Sequence, residues 1–568
     1  MGHRLTALDL AFLGLETQKT PVNVASLFIM HVPDKYQGNF IRDLLEQLSE
    51  VEPGPPFNLK LSGSSVVNMP RWVEDEHFDL DYHVRHSALP QPGTQKDLMD
   101  LVSRLHSRVM DRERPLWEFH LIEGLQDNRV AVYMKMHHAA IDGMGGIALL
   151  EACFSTDPDS PIRAPWAGID GDRSRSRQPF QLLGIPSKLL RSVQSQARMG
   201  VDLGRLLVGH GLKAVGVKPD DSPAPFTAPK SRFNVPISGA RKFSATKLPL
   251  KELKRLARLT GATVNDIVLA VCSGALRKYL KHHRSLPRRS LVASVPVSIR
   301  QINRRGNQIT YVSARLATHR RTPLGRLEDI STSTRAAKQE VASVMPSASI
   351  NFAVMAQGLV AVMNRMGATD LLPPPANVVI SNVPGPRKPL YFGGARLEGN
   401  YPLSVLVDGQ ALNITVLSYV DSVDFGLMAC REAVPDVDFL AELIEESFEE
   451  LRSAAAQRFD ETEAAPARRP TKKKAGKKVV RKAASSNTKR KSARKKVAKK
   501  VARKAAGKTA KKTVEKAARK TTKKAAKAVR KATSKTGNGQ SRKKQTRKKA
   551  TGAARRKKSP TARAQDGR

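Results

Sequence analysis

The chain lacks the cysteine content of a disulfide-stabilised or zinc-binding domain. Its 568 residues include only three cysteines, Cys153, Cys272 and Cys430, and they lie far apart. An odd number of widely spaced thiols predicts neither a disulfide framework nor a paired-cysteine metal site. We therefore expect a protein of a reducing compartment, most simply the cytoplasm.

Long apolar runs are missing as well. A helix that spans a bilayer needs about 20 mostly apolar residues. The nearest candidate, residues 348–363, is interrupted by Asn351 and Gln357. The first residues show no apolar core of the kind found in signal peptides. The sequence therefore predicts neither a transmembrane helix nor a signal peptide.

Acidic and aromatic residues almost disappear toward the C-terminus. Residues 468–568 hold 43 Lys+Arg and only two acids, and no aromatic residue follows Phe459. This segment carries a net charge of +41, whereas the rest of the chain carries only +6 of the total of +47. A segment of this composition cannot bury a core, so we expect it to be disordered. The split excludes a uniformly basic protein built around nucleic acid.

The rest of the chain is too long for one hydrophobic core, since single cores seldom exceed about 250–300 residues. Residues 1–156 and 237–456 mix strand-like and helix-like patterns, whereas residues 157–236 are rich in Ser, Pro, Arg and Gly. We predict an α/β fold with two domains, joined by a linker or crossover segment and followed by a tail over residues 457–568.

Apolar periodicity locates the main elements, because alternation predicts strands and three-to-four spacing predicts helices. Thr263 and Asp266 have the spacing of a capping box and predict the start of a helix. The other predicted elements are strands at 23–32, 130–138, 292–299, 377–381, 412–420 and 423–428, and helices at 40–51, 182–206 and 437–451.

One segment carries a pattern of reactive residues. His137 and His138 are followed by Asp142 and Gly143, in the order His-His-x-x-x-Asp-Gly. Because side chains alternate along a strand, His138 continues the apolar face of Met136, and His137 lies on the opposite face. We predict that His138 points into the interior or into a cleft. Gly143 permits a tight turn, and Asp142 would brace the loop.

The residues alone leave two interpretations of this pattern open. A core histidine at a strand end, followed by a solvated Asp-Gly turn, fits it as well as a catalytic histidine does. A metal pair is disfavoured, because adjacent residues on a strand point apart and no third ligand cluster is evident. The chain also lacks a nucleophile elbow and a dinucleotide fingerprint. The chemistry that remains is general-base catalysis by histidine, without a protein nucleophile.

Seven further segments accompany the histidine motif in a fixed order. They include an opening segment, a Pro-Leu-Trp motif and an Asn-Asp motif, and they lie at residues 5–13, 114–118, 236–239, 264–270, 295–307, 381–386 and 412–419. In these motifs the chain resembles the bacterial wax ester synthase/acyl-CoA:diacylglycerol acyltransferase family, over about residues 4–456.

The resemblance implies two domains similar in fold to chloramphenicol acetyltransferase and the condensation domains, with a central channel between them. It also implies an acyl-CoA-dependent O-acyltransferase, which forms triacylglycerol from diacylglycerol or wax esters from long-chain alcohols. His138 would be the general base, supported by His137, Asp142 and Gly143. Acyl-CoA would be a substrate, and neither a cofactor nor a metal is expected.

The resemblance also suggests residues that line the channel. Asn265, Ser381 and Asn382 are candidates for binding substrate or for donating to the oxyanion, although helix capping and strand-end hydrogen bonding explain them equally well. Residues 115–117 are expected to pack rather than to react. An enzyme of this family would lie in the cytoplasm, at the periphery of the inner membrane or of lipid bodies.

The tail leaves three alternatives open. Without aromatic residues it cannot stack on bases, so binding to DNA or RNA would depend on phosphate contacts and on salt. Anionic phospholipid would attract the same charges, and the tail would lie on a membrane rather than insert. The third alternative is a merely solvated tail. A different class of function follows from the first, namely a non-catalytic protein that tethers lipid bodies to nucleic acid.

Overall fold

The structure is a computed structural model that describes residues 3–5, 7–62, 70–141, 143–168, 223, 226–298, 309–342 and 373–464. These residues all belong to one compact unit that spans residues 1–467. The basic tail, the helix expected at 182–206 and most of the expected linker lie outside the described residues.

The described part of the chain contains nine helices and fifteen strands. The helices are α1 (Ala7–Leu15), α2 (Phe40–Ser49), α3 (Leu80–His83), α4 (Gln95–His106), α5 (Gly143–Cys153), α6 (Leu250–Thr260), α7 (Val264–His282), α8 (Pro323–Ala342) and α9 (Val437–Ala464). The strands are β1 (His3–Arg4), β2 (Asn23–His31), β3 (Leu59–Leu61), β4 (Arg71–Glu74), β5 (Val84–Ala88), β6 (Trp117–Leu125), β7 (Arg129–His137), β8 (Arg241–Pro249), β9 (Val292–Ser298), β10 (Ile309–Arg315), β11 (Val378–Val383), β12 (Tyr391–Phe392), β13 (Ala395–Leu403), β14 (Leu412–Tyr419) and β15 (Ser422–Cys430).

Those strands and helices that apolar periodicity predicted are present wherever they fall within the described residues. The six expected strands appear as β2, β7, β9, β11, β14 and β15, with ends that shift by one or two residues. The closing helix, expected to end at 451, continues to Ala464. The capping box is present, because the side chains of Thr263 and Asp266 each accept a hydrogen bond from the other's backbone N–H.

Two six-stranded sheets form the framework, and a small three-stranded sheet accompanies them. The first large sheet has the order β12-β13-β2-β7-β6-β5, and the second has the order β10-β9-β11-β14-β15-β8. Strands β12 and β13 follow β11 in the chain but pair in the first sheet, where β13 lies antiparallel to β2. Residues 237–456 therefore contribute strands to both sheets.

The two sheets are joined where β13 passes over β15. The backbone N–H of Asn400 donates to the buried carboxylate of Asp424 at 2.8 Å. Gly426 lies beneath this crossing, and a Cβ atom there would come within 1.9 Å of the carbonyl oxygen of Pro402. The close approach of the two backbones therefore requires glycine. One hydrophobic cluster, which includes Leu27 and Leu427, continues from one sheet into the other.

Helix α4 of the first half covers the edge strand of the second sheet. The hydroxyl groups of Ser103 and Ser107 accept hydrogen bonds from the N–H groups of Phe243 and Arg241, both at 2.9 Å. Unpaired N–H groups on a sheet edge would otherwise remain open to another strand. These serines therefore protect β8 and fix the position of one half against the other.

No single helix among the described residues is long and apolar enough to cross a membrane. Helices α6 and α7 meet that criterion only as a pair, across a bend of 103°. The apolar stretch at 348–363 lies outside the described residues.

Candidate active site

The histidine motif lies where β7 ends and the chain turns toward α5. His137 is the last residue of β7, and the N–H of His138 still donates to the carbonyl oxygen of Val22 at 2.9 Å. The carbonyl oxygen of His137 then accepts the N–H of Ala140 at 2.9 Å, which closes the turn. Gly143 is the first residue of α5, whereas Asp142 lies outside the described residues.

His137 is fully buried, and its backbone N–H and its Nδ1 both form hydrogen bonds. Its N–H donates to the carbonyl oxygen of Leu116 at 3.0 Å, and its Nδ1 accepts the N–H of Ala139 at 3.0 Å. Because Nδ1 is an acceptor, the ring proton belongs on Nε2, which lies 3.3 Å from Oε1 of Glu16. His137 therefore anchors the turn, and its buried position gives a substrate no access to the ring.

Glu16, just beyond α1, is the acidic partner that sequence reasoning missed. Its side chain is only 2% exposed and also accepts from Arg112, whose Nη2 is 3.0 Å from Oε2, and from the N–H of Val22 at 3.3 Å. Burial raises the pKa of Glu16, but the contacts with His137, Val22 and Arg112 outweigh it and lower the pKa. Glu16 is therefore ionised at neutral pH and stabilises the Nε2 proton of His137.

His138 differs from His137 in its exposure. Its residue is only half-buried, and its ring stacks on Phe12 of α1, with 4.1 Å between ring centroids and 26° between planes. Helix α1 thus covers one face of the imidazole. Of the two histidines, His138 is the less buried, and that its ring points into a cleft stays a prediction.

A buried polar row continues from His137 along the same face of β7. Nζ of Lys135 lies 3.3 Å from Oε2 of Glu118 and donates to the carbonyl oxygen of Leu105 in α4. Burial raises the pKa of Glu118, but His120 and Lys135 more than compensate and lower it to about 2. The strand that carries the histidine motif is therefore also the strand with buried, paired charge.

The second half contributes two asparagines that the structure brings together. Asn265 lies in the first turn of α7, and its Oδ1 accepts from Nδ2 of Asn382 on β11 at 3.4 Å. Ser381 lies on the other face of β11, because neighbouring residues on a strand alternate. Asp266 has a structural role, since it caps α7 and accepts the hydroxyl of Thr334 in α8 at 2.7 Å.

Strand β14, which pairs with β11, shares a hydrophobic cluster with the histidine motif. This cluster contains Ile141, just before α5, and Leu149, within α5, together with Leu417 and Tyr419 of β14. In the parallel pair of β11 and β14, Val383 lies opposite Leu417. The motif and strand β14, the neighbour of the strand that carries Asn382, therefore pack against the same core.

The Pro-Leu-Trp motif packs, as expected. Trp117 is 2% exposed, donates its indole N–H to the carbonyl oxygen of Phe57 at 2.8 Å and stacks on His83. Leu116 supplies the carbonyl oxygen that holds His137. Within the described residues, no group of three or more His, Cys, Asp or Glu side chains is arranged to hold a metal ion.

The fold and the site define a class of protein: a two-sheet α/β enzyme in which a half-buried histidine follows a buried histidine that lies beside a carboxylate. Sequence comparison gives the particular family. Residues 5–268 match the wax ester synthase/diacylglycerol acyltransferase catalytic domain, and residues 305–452 match the WS/DGAT C-terminal domain.

Relatives of known name agree with this match. The chain is 40% identical over 461 residues to O-acyltransferase WSD of Acinetobacter baylyi, which covers 80% of this chain and 98% of the relative. It is 39% identical over 455 residues to the probable diacylglycerol O-acyltransferase tgs2 of Mycobacterium tuberculosis, which covers 78% of this chain and 98% of the relative. Among solved structures, the wax ester synthase/diacylglycerol acyltransferase of Marinobacter aquaeolei VT8 matches with a TM-score of 0.64 and 33% identity, over 80% of this chain and all of that one. The chain belongs to the wax ester synthase/diacylglycerol acyltransferase family.

Proposed function

We propose that the chain is an acyl-CoA-dependent O-acyltransferase that forms triacylglycerol from diacylglycerol and wax esters from long-chain alcohols. The observation that carries the proposal is the contrast between the two motif histidines. His137 is buried and locked by Glu16, whereas His138 is half-buried on the same braced turn. Family membership and the names of the relatives support the reaction class.

In the proposed reaction His138 accepts the proton of the acceptor hydroxyl as the oxygen attacks the thioester carbonyl of acyl-CoA. A C–O bond forms, and the tetrahedral intermediate then collapses with cleavage of the C–S bond. The proton on His138 passes to the departing CoA thiolate, so the histidine returns to its neutral form. Acyl-CoA is already activated, and the scheme therefore needs no cofactor and no metal.

The other site residues act through position. His137, whose Nε2 lies 3.3 Å from the carboxylate of Glu16, keeps the turn in place, and we assign Asp142 and Gly143 the same supporting role. Asn265 and Asn382 are proposed to line a central channel between the two halves and to donate to the oxyanion, where preorganised amide donors stabilise developing charge. Ser381 lies on the opposite face of β11 and would act at most indirectly.

A thiol-release assay tests this function. The full chain is given palmitoyl-CoA with diacylglycerol and, separately, with hexadecanol, and the ester products are identified. We expect release of CoA with at least one acceptor, and loss of that release in His138→Ala while circular dichroism stays native. Turnover at the wild-type level in His138→Ala would remove the assigned role.

The charge of the tail favours a second, additional activity. Residues 468–568 carry a net charge of +41, and they follow the C-terminal family domain, which ends at residue 452. We propose that the tail binds polyanions, either nucleic acid or the anionic lipid of an inner membrane or lipid body, and so sets where a cytoplasmic, peripheral enzyme lies. A purely tethering protein without catalysis is the alternative function.

Comparison of the full chain with residues 1–467 separates these proposals. Binding to duplex DNA and to vesicles of phosphatidylglycerol is measured over a salt series for both proteins. Loss of binding in the shorter protein, with thiol release retained, supports an enzyme that the tail localises. Equal binding by both proteins excludes the tail as the binding element.

A further inference from the structure

A shallow, open cleft lies at the turn between α6 and α7, and the histidine motif does not line it. Its volume of about 390 Å³ falls within the range of about 300–1,000 Å³ typical of small-ligand pockets. The walls combine two basic side chains with small or apolar ones, namely Lys254, Ala257, Arg258, Gly261, Ala262 and Val264.

The basic residues of this cleft differ from their neighbours on the same helix. Lys254 and Arg258 are one turn apart, a spacing at which like charges repel. The other exposed bases of α6, Lys251 and Arg255, each lie within 3.6 Å of a carboxylate oxygen. Within the part of the chain that the structure describes, Lys254 and Arg258 form no such ion pair. Two neighbouring cations without a carboxylate partner form a suitable contact for an anion.

The position of the cleft relates it to the candidate substrate-binding residues. Val264, on its wall, directly precedes Asn265, whose side chain contacts Asn382 of β11. The first turn of α7 thus has the cleft on one side and the asparagine pair on the other. A ligand with phosphate at the basic residues could extend from the cleft along this turn toward the asparagines.

Acyl-CoA has this distribution of groups, because its phosphates lie at the nucleotide end and its thioester lies at the far end of a flexible arm. We propose that the α6–α7 cleft binds the phosphate-bearing nucleotide end of acyl-CoA, with Lys254 and Arg258 in contact with phosphate oxygens. This inference rests on the proposed acyl-CoA-dependent function and adds the site that recognises the donor.

A matched pair of variants in the full chain tests the cleft. Lys254→Ala/Arg258→Ala removes the two cleft cations, and Lys251→Ala/Arg255→Ala removes the same number of charges from the same helix outside the cleft. Both variants keep the basic tail, so the nonspecific attraction of the tail for an anionic ligand is the same in both. Calorimetric titration with adenosine 3′,5′-bisphosphate should give a Kd that rises about tenfold or more in the cleft variant and stays near the wild-type value in the control.

Kinetics supply the second measurement. The cleft variant should raise KM for palmitoyl-CoA with little change in kcat, and it should leave KM for S-palmitoyl-N-acetylcysteamine unchanged, because that thioester carries no phosphate. Equal Kd values for the two variants would overturn the proposal. So would a cleft variant that keeps its affinity for adenosine 3′,5′-bisphosphate but loses binding to phosphatidylglycerol vesicles, since the cleft would then be a headgroup site.

Failure of the proposed function has a different signature. In that case the wild-type chain releases no thiol with any acceptor, whatever its affinity for adenosine 3′,5′-bisphosphate. Bisphosphate binding that depends on Lys254 and Arg258 would still support the cleft as a nucleotide site.

Discussion

Strands β7 and β14 hold corresponding central places in the two large sheets, yet they bury different side chains. Strand β14 contains no Asp, Glu, Lys, Arg or His, and its polar side chains bond to neutral groups, as where Thr415 donates to Asn413. Strand β7 buries Lys135 and His137, and carboxylates from elsewhere in the chain pair with both. Of these two strands, the one with buried charge is the one that ends at the histidine motif.

One buried carboxyl group from each sheet shows the same difference in its pKa. Glu118, beside β7, has cationic partners, and its pKa is lowered to about 2. In Asp424 of β15, burial outweighs the hydrogen bonds from Ser422 and Asn400 and raises the pKa to about 6. A buried acid thus stays ionised in the first sheet because cations surround it, whereas in the second sheet burial favours the protonated form.

The largest effect should come from breaking the buried pair of the first sheet. Lys135→Met leaves Glu118 buried without its ammonium partner, and such a change destabilises by about 3–5 kcal/mol. Urea denaturation of residues 1–467 measures the free energy of unfolding. Thr415→Val on β14 is the control, and it should change stability by about 1 kcal/mol. A loss under about 1 kcal/mol in Lys135→Met would show that the pair does not stabilise the first sheet.

Asp424 should make the folded protein less stable as pH rises, whereas a carboxylate with a lowered pKa, such as Glu118, has the opposite effect. The pKa of Asp424 in the folded protein, about 6, lies above its ordinary value of 3.8. Its contribution to the free energy of unfolding is therefore complete below pH 3.8 and is lost as pH rises through 6. The loss amounts to up to about 3 kcal/mol. Thermal melts of wild type and Asp424→Asn between pH 4 and 7 should differ in slope, with the variant flatter. Parallel curves would contradict the raised pKa.

A smaller effect, on rate rather than stability, should follow from Glu16→Gln. The amide keeps the shape of the side chain but removes the charge that holds the Nε2 proton of His137. We expect kcat to fall about ten- to a hundredfold, or about 1.4–2.8 kcal/mol, with KM and the circular dichroism spectrum little changed. Arg112→Lys keeps a cation beside Glu16 and is the control. It should lower kcat less than Glu16→Gln does. An unaltered kcat in Glu16→Gln would make the pair purely structural.

Local features of the fold were predictable, because their causes are local. Alternating apolar residues located β7, and the spacing of Thr263 and Asp266 located the start of α7. The return of β13 to the first sheet was not predictable, since its pairing with β2 joins segments that are hundreds of residues apart and no local pattern records it. The sequence indicated two α/β halves but not that one half completes the sheet of the other.

The site was predictable in part for the same reason. The order of residues in the motif pointed to His138, and its role stays a prediction; strand alternation predicted different faces for the two histidines, although β7 ends at His137. Glu16 was missed, because its partners His137 and Arg112 are about a hundred residues away and a single acid after a helix has no distinctive pattern. Phe12 was missed because its apolar spacing is that of any packed helix, although it stacks on His138.

The central claim is that His138 performs the proton transfer, whereas His137 holds it in place. Single-turnover transfer from palmitoyl-CoA to diacylglycerol, measured with saturating enzyme in wild type, His138→Ala and His137→Ala, tests it most directly. The account predicts a rate loss of about 10²–10⁴ in His138→Ala with a native circular dichroism spectrum and unchanged affinity for adenosine 3′,5′-bisphosphate. In His137→Ala it predicts lost stability along with lost rate. A rate within about tenfold of wild type in His138→Ala, with His137→Ala stable but inactive, would contradict it.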